Sequence, residues 1–212
     1  MKKFVVLEGH DAAGKTTVAE ELARDLGGVY IKTPGSEYAG IRKAIDREAS
    51  AETRLLFYLT SVSDASDKIK AMRKSRDIVC DRYIWSSIIG YAAYSGKSLD
   101  EVVERLQQIT DHLEPPNHII LLYTNEEEQI RRLARRRNGS ASDAECVTNG
   151  TFRRHINGLY ERMRELYRWT AIDTSGEGDS LTLQAGQVTI NFNGPAASDI
   201  SSRATDATIY RF

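Results

Sequence analysis

An α/β fold on a five-stranded parallel sheet, with helices on both faces, is what this 212-residue sequence predicts. Five short apolar runs alternate with segments whose apolar residues recur at helical spacing, the pattern of strand, crossover helix and strand. Those runs are nearly continuous in apolar residues rather than alternating with polar ones, as strands covered on both faces are. The first run also passes into its helix through a glycine-bearing loop, residues 9–16.

Each element has its own signal. Residues 4–7, Phe-Val-Val-Leu before a Glu-Gly pair, favour a buried strand. Val18, Leu22 and Leu26 then mark a helical face that Gly27-Gly28 stops. Residues 29–31 form a second short strand, and 33–50 a mixed loop and helix entered through Pro34-Gly35. Leu55, Leu56, Leu59, Val62, Ile69 and Met72 draw one apolar stripe and predict a helix over 52–73. A third strand falls at 77–80, ended by Asp81-Arg82-Tyr83. Helices follow at 86–94 and 99–113, the latter opened by Ser98 with Glu101 three residues on, a capping box, and closed by Pro115-Pro116. Residues 118–123 are the fourth strand. A helix over 126–137 pairs Glu127 with Arg131 and Glu128 with Arg132. The polar stretch 138–150 reads as a mobile loop, 152–169 as the last helix and 171–173 as the last strand. From Gly176 the composition turns to Gly, Ser, Thr, Asn and Ala, with no lysine after Lys97. The chain thus divides into a main domain, 1–175, and a tail, 176–212, in which the alternation of Val188, Ile190 and Phe192 allows a strand.

Composition narrows the function. Lys and Arg number 29 against 30 Asp and Glu, a formal net charge of −1, which argues against a polycation working on nucleic acid, so any anion site is local. Two cysteines cannot make a disulfide framework, no 18-residue apolar run offers a membrane span, and the N-terminus turns polar too early for a secretory leader. A cytoplasmic protein is expected.

Gly9-His10-Asp11-Ala12-Ala13-Gly14-Lys15-Thr16 satisfies G-x-x-x-x-G-K-[ST] between a strand and a helix, where that motif works. Glycines let successive backbone N–H groups turn toward phosphate oxygens, and the helix N-terminus adds a positive field. Lys15 would neutralise the β and γ oxygens, the Thr16 hydroxyl would ligate Mg²⁺, and Thr17 would donate to the α-phosphate. Asp81 stands at the carboxyl end of a strand, the rim where ligands bind in open α/β sheets, placed to hold Mg²⁺ or orient an acceptor, with Arg82 beside it to clamp an acceptor phosphate. Five arginines occupy seven positions from Arg131 to Arg137; Arg135, Arg136 and Arg137 lack acidic partners at helical spacing and open into the polar loop, so they fit a closing lid.

Taken together, Glu8 to Thr17, Leu55-Leu56-Phe57, Asp81-Arg82-Tyr83 with Ser86-Ser87, and the arginine segment resemble thymidylate kinase in order and spacing, over residues 3 to about 175. The resemblance implies the P-loop kinase fold, transfer of the γ-phosphoryl of ATP to dTMP with Mg²⁺, and a homodimer. It implies that Lys15, Asp81 and Arg82, with a lid arginine at 135–137, are catalytic, and that Thr16 and Asp81 hold the metal. Asp11 would face the acceptor sugar, and Arg42, Arg82 and Tyr91 would join it in binding the acceptor. Ala12 takes the place of the family's P-loop arginine, which leaves that task to the lid.

The chain departs from the family at the acceptor. After Leu-Leu-Phe it reads Tyr58-Leu59-Thr60-Ser61 without the usual Asp-Arg pair, Ile89-Gly90-Tyr91 replaces Ala-Tyr-Gln, and Lys32-Thr33 replaces Arg-Glu before Pro-Gly. A pyrimidine nucleotide related to dTMP is therefore as much in view as dTMP. A nucleoside or other small acceptor, or a nucleotide-binding switch, are the alternatives; no guanine-reading Asn/Thr-Lys-x-Asp supports a GTPase.

Overall fold

In the computed structural model, residues 2–136, 141–175, 179–184 and 187–192 are described. Five parallel strands, β1 (Phe4–Glu8), β2 (Val29–Lys32), β3 (Ile78–Asp81), β4 (His118–Tyr123) and β5 (Thr170–Asp173), form one sheet in the order β2-β3-β1-β4-β5. β1 is central, Val5 pairing with Val79 on one side and with His118 on the other. Every β1 residue is buried, and its pleat splits the core in two. Phe4 and Val6 pack with Ile78, Cys80 and Leu121 under the helices α3 (Ala51–Met72), α4 (Ile84–Ser95), α5 (Leu99–Thr110) and α8 (Gly150–Tyr167). Val5 and Leu7 pack with Val79, Ile120 and Leu122 against Ala19, Leu22 and Ala23 of α1 (Lys15–Asp25).

Local chemistry sets the helix ends. Ser50 caps α3 by accepting from Thr53 N, and Ser98 with Glu101 forms the expected capping box on α5. Between β2 and α3 lie a short 3₁₀ turn (Ser36–Tyr38) and α2 (Ala39–Glu48). α6 (Glu126–Arg135) starts at Asn125, which accepts from Glu128 N at 2.8 Å.

Within the polar stretch 138–150 expected as a loop, a helix forms instead, α7 (Ala141–Thr148), while 138–140 lie outside the described residues. Cys146 is buried against Ala12, Leu133 and Phe152, and that tertiary contact prevails over a composition weak in helix formers. Of the α6 ion pairs, Glu128 with Arg132 is as expected, and Arg131 also turns to Glu128 rather than to Glu127. After β5 come two antiparallel strands, β6 (Asp179–Gln184) and β7 (Gln187–Phe192), the latter containing the alternation noted in the sequence. The rest of the expected tail, 176–178, 185–186 and 193–212, lies outside the described residues.

Candidate active site

The site sits at the carboxyl ends of β1 and β3, where the chain crosses from one side of the sheet to the other. Gly9 leaves β1 at φ 143°, and a Cβ there would fall 2.0 Å from the Leu122 carbonyl oxygen, so only glycine lets the loop hug β4. His10 Nε2 accepts from Thr124 N at 3.1 Å, which puts the ring proton on Nδ1, 3.0 Å from the Asp11 carbonyl. Burial pushes this ring down to about 4, so it is a neutral strut. Lys15, the first residue of α1, is buried and donates from Nζ to the His10 carbonyl at 2.6 Å. Burial and then the nearby Arg82 charge lower its pKa to about 7, the signature of a cation waiting for an anion.

Thr16 donates its hydroxyl to Asp81 Oδ2 at 2.6 Å. Burial alone would raise the Asp81 carboxyl, but Lys15, the Thr16 hydroxyl and Arg82 together hold it below the usual carboxylate range. Lys32, at the end of β2, brings its Nζ 3.1 Å from Thr16 Oγ1 and 3.4 Å from Asp81 Oδ2. A hydroxyl and an ionised carboxylate, with a cation already drawn up to both, are a donor set that fits Mg²⁺, which takes one or two carboxylates and completes its shell with phosphates and water.

Arg82 connects this loop to the cleft beside it. It holds φ 70°, a left-handed backbone that is unfavourable for a side-chain-bearing residue and is found at functional positions. One guanidinium nitrogen donates to Gly9 O, Ser86 Oγ and Tyr160 OH at 2.8–3.1 Å, the other to Asp11 Oδ1 at 2.5 Å. Burial acts to raise Asp11, but Arg82, Lys15 and Arg136 outweigh it and hold that carboxyl at about 2. Beneath lies Glu8, fully buried, accepting from Tyr83 N at 2.8 Å, Ser86 N at 3.3 Å and Ser86 Oγ at 2.5 Å. Glu8 thereby ties the P-loop strand to the start of α4, a role that the sequence motif did not reveal.

Beyond Arg82 a cleft of about 1000 Å³, including its mouth, runs between α2, α3, α4 and α8. Of the expected acceptor residues, Asp11, Arg42, Arg82 and Tyr91 all line it. Arg42 Nε donates to Asp46 Oδ2 at 3.2 Å, and Tyr58 OH donates to Asp46 Oδ1 at 2.5 Å. The Tyr91 hydroxyl is turned to Glu52 and Arg105, so its ring, not its polar tip, faces acceptor chemistry. Sequence reasoning missed Arg54, whose guanidinium lies 4.6 Å from the Tyr94 ring centroid and lines the same cleft. Its only signal was a position one residue before Leu55-Leu56-Phe57.

The arginine segment divides. Arg132 is committed to structure, reaching Glu128, the Thr174 carbonyl at 2.6 Å and the Ala12 carbonyl at 3.3 Å. Arg135 ends α6 and Arg136 follows it, both exposed, with the Arg136 charge felt at Asp11. Arg137 lies outside the described residues.

Comparison with known proteins agrees with this geometry. The sequence pattern of one family, thymidylate kinase, matches residues 7–182. A probable thymidylate kinase of Methanococcus vannielii is 31% identical over 189 residues, 84% of this chain and 89% of that protein. Human mitochondrial UMP-CMP kinase 2 is 33% identical over 165 residues, 76% of this chain but 37% of its own length. The solved thymidylate kinase of Candida albicans superposes with a TM-score of 0.65 at 19% identity, covering 82% of this chain and 84% of that one.

Proposed function

The chain belongs to the thymidylate kinase family and is a nucleoside monophosphate kinase, and on that premise we propose that it transfers the γ-phosphoryl of ATP to dTMP or a related pyrimidine nucleotide. The observation that carries the reading is the junction at Arg82, which joins a phosphate loop holding Lys15 and Thr16 to a cleft holding Arg42 and Arg54. Two anions brought to opposite sides of one guanidinium are placed in line, and transfer between them needs positioning and charge neutralisation more than covalent chemistry.

Lys15 binds the β and γ oxygens and becomes fully charged as they arrive. Arg82 spans the transferring group and the acceptor phosphate, while Asp11 fixes the guanidinium and faces the acceptor sugar. Arg42 and Arg54 orient the acceptor phosphate, and Arg135, Arg136 or Arg137 closes over the transferred group as a lid. Mg²⁺, held by the Thr16 hydroxyl and Asp81, supplies charge neutralisation of the donor phosphates when bound. The homodimer that the family resemblance implies is part of this proposal. Among the described residues no helix is long and apolar enough to cross a membrane.

A second acceptor class has its own support. Gly90 lines the cleft, and a Cβ built there would meet no atom within 4 Å, although the family carries a tyrosine at this place. That space, together with the likeness to UMP-CMP kinase 2, favours room for UMP or CMP beside dTMP. The test is ADP release from MgATP over dTMP, dUMP, UMP, CMP and the matching nucleosides. Turnover on monophosphates is expected; turnover on nucleosides alone would overturn the proposal.

A further inference from the structure

We propose that the Lys32 ammonium is a tethered stand-in for the metal: in the nucleotide-free enzyme it sits against the paired oxygens of Thr16 and Asp81 that a divalent cation takes, and it withdraws when the ion enters. This rests on the assignment of Thr16 and Asp81 as metal ligands. Lys32 Nζ stands 3.1 Å from Thr16 Oγ1 and 3.4 Å from Asp81 Oδ2, and these two oxygens are themselves 2.6 Å apart. An ion that approached both oxygens from the side of Lys32 would meet the ammonium, which would have to give way.

The environment explains why a placeholder is needed. The Asp81 side chain is 2% exposed, and a carboxylate removed from water that far is costly unless a cation or several donors face it. Lys15 and Arg82 supply most of that charge, and Lys32 adds the one cation that keeps 42% of its own side chain in solvent. Its stem reaches in from outside and can retreat the same way. Lys15 cannot do this, being buried and bonded to the His10 carbonyl. The Lys32 ammonium donates to Thr16 Oγ1, using the oxygen lone pair that a metal would use, while the Thr16 hydroxyl donates its own proton to Asp81 Oδ2. The tethered charge therefore keeps both ligands aimed at the metal position before any metal arrives. It also opposes the ion, because a unit charge and a divalent ion some 4 Å apart disfavour joint occupancy about thirtyfold even at the dielectric of water, and withdrawal of the ammonium trims that penalty.

The experiment is Mn²⁺ binding to the full-length, ADP-saturated enzyme, read from the paramagnetic resonance signal of free Mn²⁺ and thus independent of turnover. Lys32→Gln is expected to tighten Mn²⁺ by about fivefold if the ammonium withdraws far from the ion and by up to about thirtyfold if it stays near 4 Å. Lys32→Met repeats the test with an uncharged stem, and Lys32→Arg, which keeps the charge, is expected to stay near wild type. Mn²⁺ binding that is unchanged or weakened in both neutral variants would overturn the proposal. Asp81→Asn locates the ion: if it leaves Mn²⁺ affinity intact, the metal lies elsewhere and the stand-in role falls with the ligand assignment. If the Mn²⁺ results come out as expected while no monophosphate is phosphorylated, the stand-in role survives and only the acceptor reading fails.

Discussion

The donor and acceptor sides of Arg82 are built in opposite ways. On the donor side, eight consecutive residues between one strand and one helix make the loop, and backbone contacts to Leu122, His10 and Thr124 hold it. On the acceptor side, Arg42, Arg54, Tyr58, Gly90 and Tyr94 come from three helices and meet only because those helices pack. Chemistry common to many phosphoryl donors suits a short, rigid backbone device. Recognition of one particular acceptor suits side chains that can be exchanged without moving the backbone.

This contrast predicts a graded set of effects. Lys15→Ala should cost on the order of 10³-fold or more in kcat, since it removes the charge aimed at the transferring group, with the fold retained in circular dichroism. An unchanged rate would refute the donor-side mechanism. Arg82→Ala should lower kcat/KM by roughly 10²-fold for every acceptor and ATP alike, because the residue serves both sides. A loss confined to one substrate would erase its bridging role. Arg54→Ala should raise the acceptor KM about tenfold and leave the ATP KM alone, as expected for one charged hydrogen bond to the acceptor phosphate.

Smaller effects probe each side further. With Lys15 at about 7, nucleotide-free enzyme at pH 8 carries it mostly neutral, and phosphate favours the charged form. ADP binding should then take up close to one proton at pH 8 and almost none from Lys15 at pH 6, where the amine is already charged; calorimetry in buffers of different ionisation heat reads this. His10 at about 4 and Asp11 at about 2 do not titrate across that window, and Lys15→Ala should abolish the uptake. The smallest expected effect is Gly90→Ala, which should stabilise α4 by roughly 0.5–1 kcal/mol in thermal unfolding while lowering turnover of the bulkiest acceptors relative to dTMP. Equal turnover of all acceptors would make Gly90 a bystander.

The same asymmetry governs what could be read from the chain. The P-loop, the Asp81-Arg82 pair and all five strands follow from contiguous patterns whose physics is local. Arg54 was not found because its role depends on α3 facing Tyr94 across the cleft, a relation that no spacing encodes. Helix α7 reads as a loop in sequence because Cys146 gains its partners Ala12 and Leu133 only in the folded core. Lys32 drew notice solely as a departure from a family pattern, and its nearness to Thr16 comes from β2 and β3 lying side by side.

Glu8 has a consequence for descent as well as for structure. Because one buried carboxylate splices the phosphate loop to the first turn of α4, the distance between the donor machinery and the base of the acceptor helix is set before any acceptor residue is chosen. Residues farther along α4, Gly90 among them, and those of α2 and α3 can therefore drift through generations without disturbing the alignment of the reacting phosphates. An ancestor with this splice could spawn enzymes for different pyrimidines by changing a few side chains on a chassis that never had to be rebuilt.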